Sequence, residues 1–249
     1  MRVLAIAMAL LPACGMAHAA EIDALISTAI KAATDELLPP FERANGHTIR
    51  ASYAGALIRR FDGGESADLF LTDSKAIERL IKEGKVVPGR TDLARTGIGV
   101  AVRKGAPRPD VSTAESLKRA LLAAKSVAHA SPAGGSITAA HIMGVFERLG
   151  IASQVAPKIR LAAGGPDGRV SVLVSSRAAE IGLQQVSELM SNPEVEVIGM
   201  LPGELQQITI YSAGVTARAR QPAAASALIR ALSAPSARPI YKAKGLDPP

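Results

Sequence analysis

The chain has 249 residues, a formal net charge of +7, 48% hydrophobic and 20% charged residues, one cysteine and no tryptophan. That is enough apolar material for a substantial core in one or two domains, and it excludes a disordered chain. Basic residues scattered among few aromatics speak against nucleic-acid binding and for a mild attraction of small anions.

Met1 and Arg2 lead into the apolar run "VLAIAMALLPACGMA" and then into the small residues "HAAE". The run is too short to span a bilayer and reads as an export signal over residues 1–20, cleaved after Ala19 or Ala20, which makes the product periplasmic. The alternative is a lipid anchor at Cys14, where "LPAC" loosely matches a lipoprotein box. Because Cys14 is the sole cysteine, the exported chain is expected to hold no disulfide, thiolate nucleophile or cysteine metal ligand. Beyond it, "LIS" (25–27) is a short strand, and a helix from about Thr28 places Ile30, Ala33 and Leu37 on one face until Pro39-Pro40 disturbs it. Asn45-Gly46 stops that element. There follow a strand "TIRASY", a turn at Ala54-Gly55, a helix "ALIRRFD", a stop at Gly63-Gly64 and a buried strand "ADLFLT". Next come the amphipathic helix "SKAIERLIKEG", the strand "GIGVAVRKG", the helix "TAESLKRALLAA" and the strand "SVAHAS". A helix "VSVLVSSRA", three strands "AEIGLQQ", "VEVIGML" and "ITIYSAGVTA", and a helix "PAAASALIRALS" complete the chain. Strands separated by helices of this length indicate an α/β protein with mostly parallel sheets flanked by helices.

In such sheets ligands lie beyond the carboxyl ends of the strands, where helix N-termini leave backbone N–H groups unpaired. Four corners qualify: "ISTAI" (26–30), "SYAGAL" (52–57), "SPAGGSI" (131–137) and "GGPDGRV" (164–170). The candidate ligand residues at these corners are Ser27, Thr28 and Ala29; Ala54, Gly55 and Ala56; Gly135, Ser136 and Ile137; and Gly168 with Arg169. Small residues let a ligand approach the backbone, although each corner taken singly is equally an ordinary cap or turn.

The runs "FERANGHTI", "ADLFLTDSKAIERLIKEGKV", "AEIGLQQVSEL", "LQQITIYSAGVTA" and the closing "AKGLDP" occur in an order that resembles the periplasmic molybdate-binding protein family of bacterial ABC importers. The resemblance covers nearly the whole chain after residue 20. It implies a two-lobed type II periplasmic binding fold, with one lobe over residues 21–100 plus 206–249 and the other over 101–205. It also implies a monomer that holds a small anion in the inter-lobe cleft and docks on a membrane ABC permease. The family binds a tetrahedral oxyanion through serine hydroxyls, backbone amides and a tyrosine hydroxyl after the "IG" strand.

This sequence departs from that pattern. The first serine position aligns with Ala29, preceded by Ser27 and Thr28; the second corner reads Ala54-Gly55-Ala56; and Gln185, preceded by Gln184, stands where the tyrosine comes. Each charge-assisted hydrogen bond contributes roughly 1.5–3 kcal/mol, so their loss disfavours molybdate. Arg169 in the "PDGR" corner and the two glutamines suit a carboxylate instead, because guanidinium and amide groups match its planar oxygens. Arg59 and Arg60, after the second corner, are further guanidinium candidates, with a solvated helix face as the alternative and favoured reading. Gln184 and Gln185 alternate on a strand, so one of them faces the cleft. The family also has an aconitate isomerase-like branch, which makes a cofactor-free isomerase of a tricarboxylate the alternative function.

No metal and no redox cofactor is expected, since His47, His129 and His141 have no ligand spacing. The absence of a G-x-S-x-G elbow and of a phosphate-binding loop argues against hydrolase and nucleotidase chemistry. The acid–base candidates are Asp167, His141, Tyr53 and Ser136, with none singled out by spacing. Asp68 and Asp73, flanking "LFLT", read as helix caps.

Overall fold

The computed structural model describes residues 19–54, 57–134, 136–163 and 169–249. Ten strands form two sheets: β1 (Glu21–Ser27), β2 (Thr48–Ala54), β3 (Leu69–Asp73), β4 (Thr91–Thr96), β5 (Ile98–Arg103), β6 (Val127–Ala130), β7 (Ile159–Ala162), β8 (Ile181–Gln185), β9 (Val195–Met200) and β10 (Thr209–Val215). The first sheet has the order β2-β1-β3-β10-β4 and the second β7-β6-β8-β5-β9. In each, four strands share one direction and one, β10 or β5, runs against both its neighbours. That reversed strand is the first one laid down after the chain crosses from the other sheet. The mostly parallel α/β architecture read from the sequence is therefore what the chain adopts.

Helices cover both faces of both sheets, as parallel strands require. On the first sheet, α1 (Lys31–Asn45), α9 (Pro222–Ser233) and α10 (Arg238–Ala243) bury one face with Ile22, Ile26, Leu38, Phe41, Leu71 and Leu228. The other face packs under α2 (Leu57–Asp62) and α3 (Ser74–Lys82) through Leu25, Phe70, Ile77 and Leu80. On the second sheet, α4 (Ala114–Ala123), α5 (Ile137–Arg148) and α6 (Ala152–Val155) close over Val100, Leu121, Ile142 and Leu183. The opposite face carries α7 (Val170–Ser175) and α8 (Val186–Leu189). Helix α7 can sit this low because β8 offers Gly182, where a side-chain carbon would lie 2.7 and 2.8 Å from methyls of Val174 and Val170.

Helix α1 corrects one expectation, since it runs straight through Pro39 and Pro40 to Asn45. Each proline removes a helical hydrogen bond at a cost of about 3 kcal/mol. Leu38 and Phe41, buried on either side of the pair, supply about 1.5–3 kcal/mol each and hold the turn in place.

The chain crosses between sheets at Gly97 and again over residues 201–208. One side chain ties the two crossings together. Gln206 Oε1 accepts from Ile98 N at 2.9 Å and Gln207 N at 2.8 Å, while its Nε2 donates to Ile98 O at 3.0 Å and Leu201 O at 3.3 Å.

Candidate functional site

The carboxyl ends of β1, β2 and β3 meet the carboxyl end of β8 beside these crossings, and the residues found there come from both sheets. In the first, β1 ends at Ser27, which caps a short 3₁₀ turn, its Oγ accepting from Ala29 N at 3.4 Å. Ala54 ends β2 level with Ser27. Asp73 ends β3, faces Tyr211 of β10 and caps α3 through Ala76 N at 2.9 Å. The buried phenol of Tyr211 lies beside the Ser27 hydroxyl. Burial, and then the negative charges of Glu188 and Asp73, push its pKa well above the usual tyrosine value, with Ser27 opposing.

From the second sheet, Ser136 caps α5 through Ala139 N at 3.2 Å, and Ile137 opens that helix. Arg169 forms the exposed N-cap of α7. Gln185, only 1% exposed, ends β8. Its Nε2 donates to Thr138 Oγ1 in the first turn of α5 and to Thr209 Oγ1 at the start of β10, both at 3.1 Å. The amide is thus held by one threonine from each half, and its Oε1 is buried without a partner among the described residues. Each hydroxyl can donate as well as accept, so turning the carboxamide over gives both threonines an acceptor and puts the NH₂ in the unfilled position. Gln184 Oε1 accepts from Gln185 N at 3.2 Å.

A residue outside the candidate set completes the cluster. Glu188, one turn into α8, reaches across to the first half, where Thr28 Oγ1 donates to its Oε1 at 2.9 Å. The protein packed around this carboxylate strips its water and raises its pKa. The Thr28 hydrogen bond and the Arg169 charge pull the other way. Sequence reading stops at the "AEIGLQQ" strand because the helix after it spans only four residues, too short to show a period. The signal available is an acid three residues after a strand that ends at a helix N-terminus, a fifth corner of the kind already enumerated.

The remaining candidates sort as follows. Gly55, Ala56, Gly135, Asp167 and Gly168 lie outside the described residues, as does Cys14. Arg59 is exposed and Arg60 pairs with Glu65 at 2.6 Å on the solvated face of α2. Tyr53, His141 and Ser136 are engaged structurally: Tyr53 with Thr34 Oγ1 at 3.0 Å, His141 Nε2 with Leu205 O at 2.8 Å, and Ser136 as a cap. Asp68 instead holds the segment leading into α9, accepting from Arg220 N at 2.6 Å and Gln221 N at 2.9 Å. Among the described residues, no group of three His, Cys, Asp or Glu side chains is arranged to hold a metal ion. No helix among them is long and apolar enough to cross a membrane.

Two mixed sheets joined by paired crossings, with polar residues from both at the junction, define a two-lobed type II binding protein. The chain belongs to the bacterial extracellular solute-binding proteins, whose family model matches residues 22–247. It is 32% identical over 232 residues to an aconitate isomerase of a Pseudomonas species, covering 90% of this chain and 86% of the relative. It is 26% identical over 234 residues to a molybdate-binding protein of Azotobacter vinelandii, covering 92% and 90%. The solved periplasmic molybdate-binding protein of Azotobacter vinelandii superposes with a TM-score of 0.73 at 18% identity, over 92% of this chain and 99% of that one.

Proposed function

We propose that this protein captures a small carboxylate anion in the cleft between its lobes and delivers it, by closure about the two crossings, to a membrane ABC permease. The observation that carries this reading is the buried Gln185 amide, fixed by Thr138 and Thr209 and left with one open hydrogen-bonding position. A bare tetrahedral dianion asks only for donors. A polycarboxylate, with planar carboxylates and one protonatable oxygen, makes use of an amide that can present either polarity, of the Arg169 guanidinium and of the Ser27 and Thr28 hydroxyls. Glu188 argues in the same direction, because an ionised carboxylate repels a compact dianion more strongly than a ligand whose charge is spread over several groups.

The proposed lobes are residues 21–100 with 206–249 and residues 101–205. Residues 1–20 are proposed as the signal that sends the chain to the periplasm, where it works as a monomer. The second reading, an isomerase acting on an unsaturated tricarboxylate, draws on the 32% identity to an aconitate isomerase together with an acid in the cleft.

The test is a thermal-shift panel of cis- and trans-aconitate, citrate, molybdate, tungstate and sulfate. A ligand at about a hundred times its dissociation constant adds roughly 2.7 kcal/mol to the folded state. At about 2–4 °C per kcal/mol for a chain of this size, the right ligand raises Tm by roughly 5–11 °C. A shift of that size with molybdate and none with any carboxylate overturns the proposal.

A further inference from the structure

We infer that Glu188 is the proton carrier of an allylic isomerisation, taking a proton from a methylene carbon of an unsaturated polycarboxylate bound in the cleft and returning it two carbons away. The inference rests on the carboxylate reading of the site and adds a chemical step to it. Its basis is where the acid stands. An anion-binding cleft gains nothing from an internal negative charge, yet Glu188 projects from the second lobe to Thr28, one residue from the Ser27 cap and across from Tyr211. The side chain is only partly buried, so it stays within reach of a ligand.

The titratable and charged groups facing it are Arg169 from the start of α7 and Tyr211 from the first sheet. Helix α8 itself contributes no other charge. Desolvation makes the ionised Glu188 a stronger base than a carboxylate in water, which suits removal of a proton from carbon, while the Arg169 charge beside it opposes that rise.

The step balances without a further reactant. In a ⁻OOC–CH₂–C(COO⁻)=CH–COO⁻ unit, Glu188 takes one methylene proton, and the C–H electron pair is shared between the two terminal allyl carbons and the carboxylates those carbons bear. The protonated Glu188, whose acidic proton can exchange with water, then gives a proton to the far carbon. One C–H bond breaks and another forms, the double bond moves by one position, and nothing is oxidised or reduced. For aconitate the product is again aconitate, with the opposite geometry accessible.

The experiment is proton NMR of trans-aconitate with the full-length protein in D₂O, following deuterium entering the methylene group and conversion to the cis isomer, alongside the thermal shift. Glu188→Gln keeps an oxygen to accept from Thr28. It is expected to retain the aconitate-induced rise in Tm and to lose exchange and conversion by at least about a hundredfold. Glu188→Asp keeps the acid but withdraws it by one methylene, and is expected to exchange measurably but more slowly than wild type. Three outcomes overturn the inference: Glu188→Gln exchanging at the wild-type rate, Glu188→Gln losing aconitate binding, or Glu188→Asp exchanging as fast as wild type. A wild-type protein that is stabilised by trans-aconitate but neither exchanges nor converts it also overturns this inference while leaving the capture reading intact. Absence of stabilisation by any carboxylate instead overturns the capture reading and this one with it.

Discussion

Replacing Gln185 by leucine tests the centre of the site. The amide contributes two hydrogen bonds of 3.1 Å, to Thr138 and Thr209, whose side chains belong to residues only 5% exposed. Leucine keeps the apolar volume and removes both bonds, leaving two buried hydroxyls that each cost about 1–3 kcal/mol, or roughly 2–6 kcal/mol in all. It also removes the buried Oε1 that has no partner, which returns about 1–3 kcal/mol. Taking the middle of each range, the net destabilisation is about 2 kcal/mol, a fall in Tm of roughly 4–8 °C by calorimetry. Because Thr138 and Thr209 come from different lobes, the Gln185→Leu, Thr209→Val double cycle should show a coupling of about 0.5–3 kcal/mol. Ligand stabilisation should disappear in the same variant. A Gln185→Leu protein that melts within 1 °C of wild type and still gains its full ligand shift would refute the reasoning, since neither the bridge nor the open position would then matter.

Arg169→Lys keeps the charge but loses the planar fork, so calorimetric titration with a carboxylate should show affinity weaker by roughly ten- to a hundredfold; equal affinity puts Arg169 outside the site. Ser136→Ala removes the α5 cap and should lower Tm by roughly 2–4 °C, for a loss of about 1 kcal/mol, while weakening ligand binding by more than that amount in titration. His129 is buried against Phe146 and burial holds its pKa below the usual histidine value. Its contribution to stability is therefore full above the unfolded pKa of about 6.5 and is lost as pH falls through the lower folded value. A His129→Leu variant should show a shallower loss of Tm than wild type between pH 7 and 5. Glu188 works in the opposite sense: its pKa is raised, so stability relative to the Glu188→Gln variant is kept at low pH and lost as pH climbs through the folded value, as paired melting curves should show.

The sheets were legible where strands are buried on both sides and read as apolar runs, as in "LFLT" and "IGVAV". Edge strands β4 and β7 escaped that reading because neither carries such a run. "TDLART" carries charges, and "IRLA" leaves Leu161 51% exposed. The Pro39-Pro40 pair misled because local propensity argues for a break while the contacts of Leu38 and Phe41, invisible in one dimension, decide otherwise. At the site, Ser27 and Gln185 announce themselves as the last residues of strands that run into helices. Glu188, Tyr211, Thr138 and Thr209 do not, because their meeting depends on the crossings at Gly97 and residues 201–208, which bring together positions such as Thr28 and Glu188 that are 160 residues apart.

The placement of β10 between β3 and β4 has a consequence for the order in which the molecule can assemble. The second sheet is encoded without interruption, from Ile98 to Met200, and all its strands are available once residue 200 has been made. The first sheet begins earlier but lacks its reversed strand until Val215, and Asp68 waits still longer for the backbone of Arg220 and Gln221. A nascent chain that ends before Thr209 therefore carries β3 and β4 with open edges, the kind of strand that pairs with other chains. The half of the protein that is synthesised first is the half that must be held unfolded the longest.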